Sequence, residues 1–502
     1  MNRRHNILVV GVVVLALGTM RAQDNPTPSP DSQTSAQQPV APYGQENAPQ
    51  PINDNPPLSG LDMPSLQEHA APLSYLQPGA TFSESGSTNI ENQVGGDTSF
   101  GTISRALGSV ALKRLWSHYD LALDYMGGVA YYQKGGIGAK LLQDLGLDQK
   151  IMWKRGQLSL RDSFSYLPEG NFGAAYGSLG SVGVANMGST AFGSFWGGNS
   201  LGALGLAPRI MNVSLVELSE NLSPKSAFTA TGGYAFTHFY GEDVSGAPFI
   251  GSSQFSAQTG YNRTLTPHTQ IAAIYGYQAF DFSVAGTSFH SHIVQGMYGH
   301  RISGRMDLML AAGPQFTRLG TPCDVNNPAD FNDPHCTIVG LGLEGTIPST
   351  RIGVAAQARL RYKLSRNNLD LRYERFQTNG GGLFAGAQTD LARFNVEHTL
   401  SRIWTMSLDL GYSHNERLQA ICTPQSPSNC VAGDSKFYND GFAGVAVHRF
   451  FGRTWHGFAS YQFSELSFDQ SFCATTTPCD RISNRHVVTI GVDWTPRPIR
   501  ID

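Results

Sequence analysis

The chain has 502 residues, a formal net charge of −3 at pH 7 and only 15% charged residues. So small a net charge argues against nucleic acid as a partner. Glycine is abundant, at 56 residues, but it lacks the every-third spacing of collagen. A glycine-rich, charge-poor composition fits both outer-membrane proteins and secreted all-β proteins, so the pattern along the chain has to separate them.

Residues 1–22 have the pattern of a secretory signal peptide. Arg3 and Arg4 provide a positive start, residues 7–17 are apolar, and Ala22 precedes the expected cleavage before Gln23. An uncleaved membrane anchor is the alternative, but the apolar run is shorter than the roughly 20 residues that a spanning helix needs. The pattern therefore predicts export through the inner membrane.

Residues 23–73 are rich in proline, glutamine, asparagine and serine. Such a segment cannot bury enough apolar surface to offset the entropy of ordering it, so it is predicted to be a disordered periplasmic tail or linker. A plug that enters the barrel, or a contact to the cell wall, is the functional alternative.

From residue 74 onward the chain alternates apolar and polar residues. Residues 404–413 read WTMSLDLGYS, with an apolar side chain at every second position. Runs of this length can cross a membrane as tilted strands. Residues 74–502 are therefore predicted to fold as an all-β, transmembrane, antiparallel up-and-down β-barrel of about 18 strands, with 16 as the other even number considered.

Short turns and long loops alternate between the predicted strands, and barrels place the short turns in the periplasm. Five of the six tryptophans fall at short turns or at the strand ends beside them. An indole ring settles at the boundary between lipid and water. The predicted periplasmic aromatic girdle consists of Trp116, Trp153, Trp404, Trp455 and Trp494.

The six cysteines form three pairs that are local in sequence, and each pair lies in a predicted long loop. In an exported protein such pairs form disulfides. A zinc site is the alternative, but the spacings do not match zinc-ribbon or zinc-finger patterns. The predicted disulfide cysteines are Cys323 with Cys336, Cys422 with Cys430, and Cys473 with Cys479.

Four stretches, LKRLWSHYDLALDYMGG, LSLRDSFSYLPEGNFG, GGGLFAGA and LSRIWTMSLDLGYSHN, resemble a group of porin-like outer-membrane proteins from acidobacteria. The resemblance covers most of residues 74–494. It implies an outer-membrane barrel but no established substrate. The motifs are hairpins and loop starts, so they are specific for the barrel and not for an activity. The chain departs from the usual barrel terminus, since TPRPIRID follows Trp494.

Alternation turns charged residues of both signs into the predicted lumen. They either create a transverse field that filters solutes or neutralise one another in a wet interior. The predicted pore-lining residues are Arg359, Arg361, Asp370, Arg372, Glu374 and Asp409. Asp162 does not fit, because strict alternation turns it towards lipid; a bulge or local flip is predicted there.

The glycine-rich loop of residues 168–208 carries aromatic side chains and very few charges. An apolar loop of this length would be exposed in water, so it is predicted to fold into the barrel mouth as a constriction; an intersubunit contact and a disordered surface loop are the alternatives. Its predicted constriction residues are Phe172, Tyr176, Phe192, Phe195 and Trp196.

The function predicted from the sequence is an outer-membrane porin-like channel for passive passage of small hydrophilic solutes, since a barrel of this size keeps an aqueous lumen. A structural or adhesive barrel with disulfide-stapled loops, and polymer export, are the alternatives. The metalloprotease motif H-E-x-x-H does not occur in the sequence, and no enzyme activity, cofactor or metal is predicted. The expected partners are outer-membrane lipid and small solutes, with homo-oligomerisation left open.

Overall fold

The computed structural model describes eleven stretches of the chain: residues 57–59, 74–90, 100–133, 138–168, 208–240, 249–283, 287–323, 330–339, 342–419, 435–472 and 480–501. Apart from two short 3-10 turns, the regular structure in them is β-strand. No helix in these stretches is long and apolar enough to cross a membrane. The predicted signal peptide and most of residues 23–73 lie outside the described residues.

The strands follow one another along the chain with few interruptions. They are β1 Tyr75–Thr88, β2 Phe100–Leu115, β3 Tyr119–Tyr132, β4 Gly138–Trp153, β5 Gly156–Leu167, β6 Arg209–Ser223, β7 Ser226–Phe239, β8 Ser252–Thr266, β9 Thr269–Phe282, β10 Ser288–Ser303, β11 Met306–Pro322, β12 Cys336–Val339, β13 Gly342–Lys363, β14 Asn367–Thr378, β15 Ala387–Ser401, β16 Trp404–Arg417, β17 Phe437–Phe451, β18 Trp455–Phe468, β19 Ile482–Trp494 and β20 Ile499–Arg500.

Eighteen of these twenty strands close into one antiparallel barrel. Each pairs with its neighbours along the chain, β11 pairs directly with β13, and β1 closes the ring by pairing with β19, from Ala80 opposite Trp494 to Ser87 opposite Val487. The two remaining strands are short additions: β12 pairs with the start of β13, and β20 pairs with the start of β1. The predicted 18-stranded up-and-down barrel is confirmed.

The two faces of the barrel wall differ in chemistry. On β3, Asp120 and Asp124 are buried on the inner face, whereas Tyr119, Tyr125 and Val129 are exposed on the outer face. The same contrast recurs around the ring, where large exposed hydrophobic side chains include Phe82, Val110, Val216, Phe255, Val294, Ile352, Leu371, Tyr461 and Ile490. A continuous apolar outer wall around a polar interior requires lipid outside. The chain is therefore a membrane-spanning barrel of the outer-membrane type.

The five girdle tryptophans all lie at the short-turn end of the barrel. Trp116 lies between β2 and β3, and the other four begin or end strands at that end. Several have charged partners: the Arg449 guanidinium lies 5.2 Å from the ring centre of Trp404, and Trp153 Nε1 donates to Glu220 Oε2 at 2.7 Å. Rings with one polar contact and one exposed apolar face suit a membrane boundary.

Asp162 keeps its place in the alternation. The register runs without a break from Leu147 through Asp162 to Ser214, so the bulge or flip predicted from the sequence was wrong. The carboxylate faces outward and accepts hydrogen bonds from Asn212 Nδ2 at 3.1 Å and from the Ser214 hydroxyl. Two hydrogen-bond donors on the neighbouring strand therefore accommodate the charge, and the backbone of the strand stays regular.

Cys323 and Cys336 form a disulfide, with Cα atoms 5.9 Å apart, as predicted. The bond joins the end of β11 to the start of β12, so it closes a short segment at the long-loop end. Cys422, Cys430, Cys473 and Cys479 lie outside the described residues, and their pairing stays a prediction.

Digestion of the purified protein without reductant tests the bond between Cys323 and Cys336. The peptides that carry Cys323 and Cys336 should be recovered as one linked species, because the bond is local and lies in an exposed loop. Reduction should separate them in mass spectrometry. Recovery of the two peptides with alkylated thiols from unreduced protein would contradict the fold of this loop.

Candidate functional site

The lumen of the barrel is the candidate site, because the inner wall collects most of the charged side chains of the strands. All six predicted pore-lining residues face inward on β13, β14 and β16. On β13 and β14 they meet partners of opposite sign: Arg359 Nε lies 2.7 Å from Asp370 Oδ2, and Arg372 Nη1 lies 3.6 Å from Glu374 Oε1. Arg361 Nη2 lies 3.7 Å from Asp307 Oδ2 on β11.

Asp409 has the closest partner in this part of the wall, Arg393 on β15. The guanidinium holds the carboxylate with two hydrogen bonds, Nε to Oδ1 at 2.9 Å and Nη2 to Oδ2 at 2.5 Å. The Phe442 ring lies beside it, 5.7 Å from the guanidinium carbon. Sequence reasoning missed Arg393, since only the strand register brings it next to Asp409. Every predicted pore-lining charge thus has a neutralising neighbour, which favours mutual neutralisation over a transverse field.

Replacing Arg393 by methionine should destabilise the barrel by about 2 kcal/mol, because Asp409 would keep its charge but lose two charge-assisted hydrogen bonds. The double variant Arg393→Met with Asp409→Leu should recover part of that loss. The temperature at which folded protein converts to the slower-migrating form on SDS gels measures both. Equal stability of wild type and the single variant would contradict a structural role for the pair.

The opposite part of the inner wall, on β2 to β6, also carries both signs of charge. Arg161 lies between two carboxylates, 3.8 Å from Asp148 and 3.7 Å from Glu217. Lys113 and Asp120 are buried on the same inner face. Sequence reasoning missed Arg161, Asp148 and Glu217. Their partnership depends on how β4, β5 and β6 align, and a single strand does not reveal that.

Two inward carboxylates stand apart from this neutralisation. Asp144 on β4 is 4% exposed and Asp440 on β17 is 1% exposed. One oxygen of Asp144 and both oxygens of Asp440 accept no hydrogen bond within the part of the chain that the structure describes. A buried carboxyl group in this situation is stable only with a proton or with a cation beside it.

The barrel wall changes course at the end of β14. Pairing between β13 and β14 ends at Ala356 opposite Arg375, whereas β14 and β15 stay paired up to Thr378 opposite Ala387. Freed from β13, the end of β14 turns towards the lumen. The side chain of Gln377 reaches the inner faces of two other strands, donating to Thr317 Oγ1 on β11 at 2.6 Å and contacting Ser291 on β10.

Residues 379–386, with the sequence NGGGLFAG, form the loop between these two strands, and we name it the mouth loop. Four of its glycines have positive φ: Gly380, Gly381, Gly382 and Gly386. The turn is tight, since a Cβ on Gly380 would lie 2.4 Å from the Phe384 carbonyl oxygen. The Leu383 and Phe384 N–H groups both donate to the Gly380 carbonyl at 3.2 Å. Only glycine tolerates this backbone without strain.

The mouth loop contacts β8 on one side of the barrel. Asn379 Nδ2 donates to Ser252 Oγ at 3.0 Å, and the Ile250 N–H donates to the Gly382 carbonyl at 2.9 Å. On the other side, the Tyr438 hydroxyl donates to the Gly380 carbonyl at 3.4 Å. These anchors hold the loop from β8 and β17 at once.

Apolar packing completes the contact across the mouth. The Phe384 ring lies 5.1 Å from that of Tyr438, and one buried cluster joins Ile250, Leu383, Phe384, Tyr438, Leu466 and Phe468. Ile250 precedes β8, whereas Leu466 and Phe468 lie on β18, nine strands away in the ring of eighteen. The mouth loop therefore bridges opposite walls at the long-loop end and narrows the opening.

The predicted constriction residues Phe172, Tyr176, Phe192, Phe195 and Trp196 lie outside the described residues, so their role stays a prediction. Sequence reasoning assigned no role in the opening to residues 379–386. The one available signal was the apolar pair Leu383 and Phe384 inside a run of glycines, which is unusual for a loop exposed to water.

No group of three or more His, Cys, Asp or Glu side chains in the described part of the chain could hold a metal ion. In the loop before β12, Asp333 is occupied by His335, whose backbone N–H and ring nitrogen both lie 2.9 Å from the carboxylate. The hydrogen bond from that backbone N–H, aided by the ring, holds the pKa of Asp333 below its usual range.

No protein-family profile matches the chain, and no curated protein matches it. Among solved structures, it is similar to the outer membrane protein OpdK of Pseudomonas aeruginosa, with 9% identity and a TM-score of 0.39 over 84% of this chain and 98% of that one. OccK5 (OpdH) of the same organism shares 13% sequence identity with the chain, with a TM-score of 0.39 over 85% of this chain and 99% of that one. The ferric-catecholate import receptor Fiu of E. coli K12 shares 8% sequence identity, with a TM-score of 0.38 over 84% of this chain and 81% of that one. Such values carry no argument about function, which has to come from the lumen.

Proposed function

We propose that the protein is an outer-membrane channel through which small hydrophilic solutes pass passively, with its entrance narrowed by the mouth loop. The observation that carries this proposal is the inner wall itself. It is polar and charged over most of its length, yet it is enclosed by a barrel whose outer wall is apolar. An enclosed polar interior of this width can hold water, as a passage for hydrophilic solutes requires.

The arrangement of charges indicates what kind of channel this is. Arg359, Arg372 and Arg393 each have a carboxylate within 4 Å, so the wall presents little net field to a passing ion. Barrels of 16 to 18 strands are wide enough for water and small solutes. Selection by size at the mouth is therefore proposed to dominate over selection by charge.

Single-channel recording in a planar lipid bilayer tests the proposal. The purified full-length protein should give discrete, stable conductance steps, and a salt gradient should produce only a small reversal potential because the wall charges on β13 to β16 are paired. Absence of conductance at all voltages, with folded protein present in the bilayer, would overturn the proposed channel function and favour the structural or adhesive alternative.

Replacing both Leu383 and Phe384 by alanine should raise the unitary conductance. Losing a buried aromatic ring removes about 3–5 kcal/mol of packing, enough to release the mouth loop from Tyr438 and the opposite wall. When uncharged polymers of increasing size are added to the bilayer chamber, the largest polymer that enters the lumen should be larger for this variant than for wild type.

Phe331→Ala is the matched control. This side chain lies in the loop before β12 and is 47% exposed, so its loss should leave conductance and cutoff unchanged. If the mouth-loop variant conducts like wild type while remaining folded on SDS gels, the mouth loop does not limit passage.

A further inference from the structure

Residues 57–59, which precede the barrel in the chain, occupy a site on the inner wall at the short-turn end of the lumen. Residues 57–59 lie within the segment predicted to be disordered, yet they contact the inner faces of β7 to β11. Ser59 is 1% exposed. Its N–H donates to Asn262 Oδ1 at 2.9 Å, and Gln258 Nε2 donates to its carbonyl at 3.0 Å. Its hydroxyl contacts Thr229 and Asn262.

Leu58 makes the apolar half of the contact. It packs against a buried cluster on the inner faces of three adjacent strands, formed by Ala272, Ile274, Met297 and Ala311, with Met309 beside them. A patch of apolar side chains on an otherwise polar inner wall would be exposed to water if nothing covered it. The side chain of Leu58 covers this patch. The apolar part of the site therefore contacts Leu58, and the polar part contacts the next residue, Ser59.

Two glycines make room for this segment. A Cβ on Gly260 would lie 2.3 Å from the Ser59 Cβ, and a Cβ on Gly299 would lie 2.8 Å from Leu58 Cδ2. Neither glycine has a positive φ, so backbone conformation gives no reason for glycine at these strand positions. Glycine inside a strand commonly marks the close approach of another backbone or of a ligand. Here both glycines fit the side chains of residues 57–59.

The position of the site gives it a consequence for passage. Thr229 lies close to the Ser223–Ser226 turn, Asn262 close to the Thr266–Thr269 turn, and Gly299 close to the end of β10 at Ser303. The site is thus at the opposite end of the lumen from the mouth loop. We propose that residues 57–59 are anchored inside the lumen at this end and that, held there, they reduce passage through the channel. The second half of this proposal rests on the proposed function; the anchoring does not.

Disulfide trapping tests the anchoring without any transport assay. Ser59→Cys combined with Thr229→Cys should form a crosslink in oxidised full-length protein, detected as a linked peptide by mass spectrometry. Ser59→Cys combined with Ser407→Cys is the control, because Ser407 faces the lumen at the short-turn end of β16, far around the ring. No crosslink in the first pair, or equal crosslinking in both, would overturn the anchoring.

Conductance tests the effect on passage. Gly299→Val fills the space of Leu58 and should raise the unitary conductance by displacing the segment. Gly353→Val adds the same bulk to the inner face of β13, where a Cβ would meet nothing within 4 Å, and should leave conductance at or below the wild-type value. Leu58→Asp provides a second variant that leaves the barrel wall unchanged, and it should act like Gly299→Val.

The outcomes separate the two proposals. If the crosslink forms but both Gly299→Val and Leu58→Asp conduct like wild type, the segment is anchored without obstructing passage, and the obstruction is wrong. If no form of the protein conducts while the Ser59–Thr229 crosslink still forms, the channel function fails and the docking site stands.

Discussion

Every backbone N–H and C=O inside a lipid layer has to find its partner within the protein, and this requirement governs the whole structure. A strand can meet it only if both of its edges are paired, so the sheet must close. The pairing of β1 with β19 is the step that achieves closure. Once the ring is closed, successive side chains alternate between lipid and lumen, and the period-two pattern of the sequence becomes two chemically different walls.

The same requirement explains where the barrel can depart from regularity. β14 gives up its pairing with β13 only beyond Arg375, towards the long-loop end, where the freed groups can be satisfied by water or by side chains of the lumen. The end of β14 and the mouth loop that follows are therefore free to bend inward. At the short-turn end the strands stay paired up to their turns, and the proposed obstruction there comes from a separate segment, residues 57–59.

Features that repeat along one strand were predictable from the sequence; features that depend on how strands align were not. Alternation and turn lengths predicted the barrel and its eighteen strands, and local spacing predicted the bond between Cys323 and Cys336. The partnership of Arg393 with Asp409 needed the register of two strands. The inward path of the mouth loop needed three-dimensional packing, since a loop has no periodicity to show which way it turns. At Asp162 the alternation was right, and the expectation that an outward carboxylate must distort the strand was wrong.

Glycine has two physically distinct uses in the lumen, and together they link the sequence to the proposed control of passage. In the mouth loop it permits positive φ, so that a short chain can turn back on itself while presenting Leu383 and Phe384 to the opposite wall. On β8 and β10, Gly260 and Gly299 have ordinary strand backbone and instead leave space that Ser59 and Leu58 occupy. A wall that only had to enclose water would gain stability from β-branched residues at those two positions. At these two positions the missing side chains leave the space that residues 57–59 fill, whereas Gly353 on the inner face of β13 leaves open space.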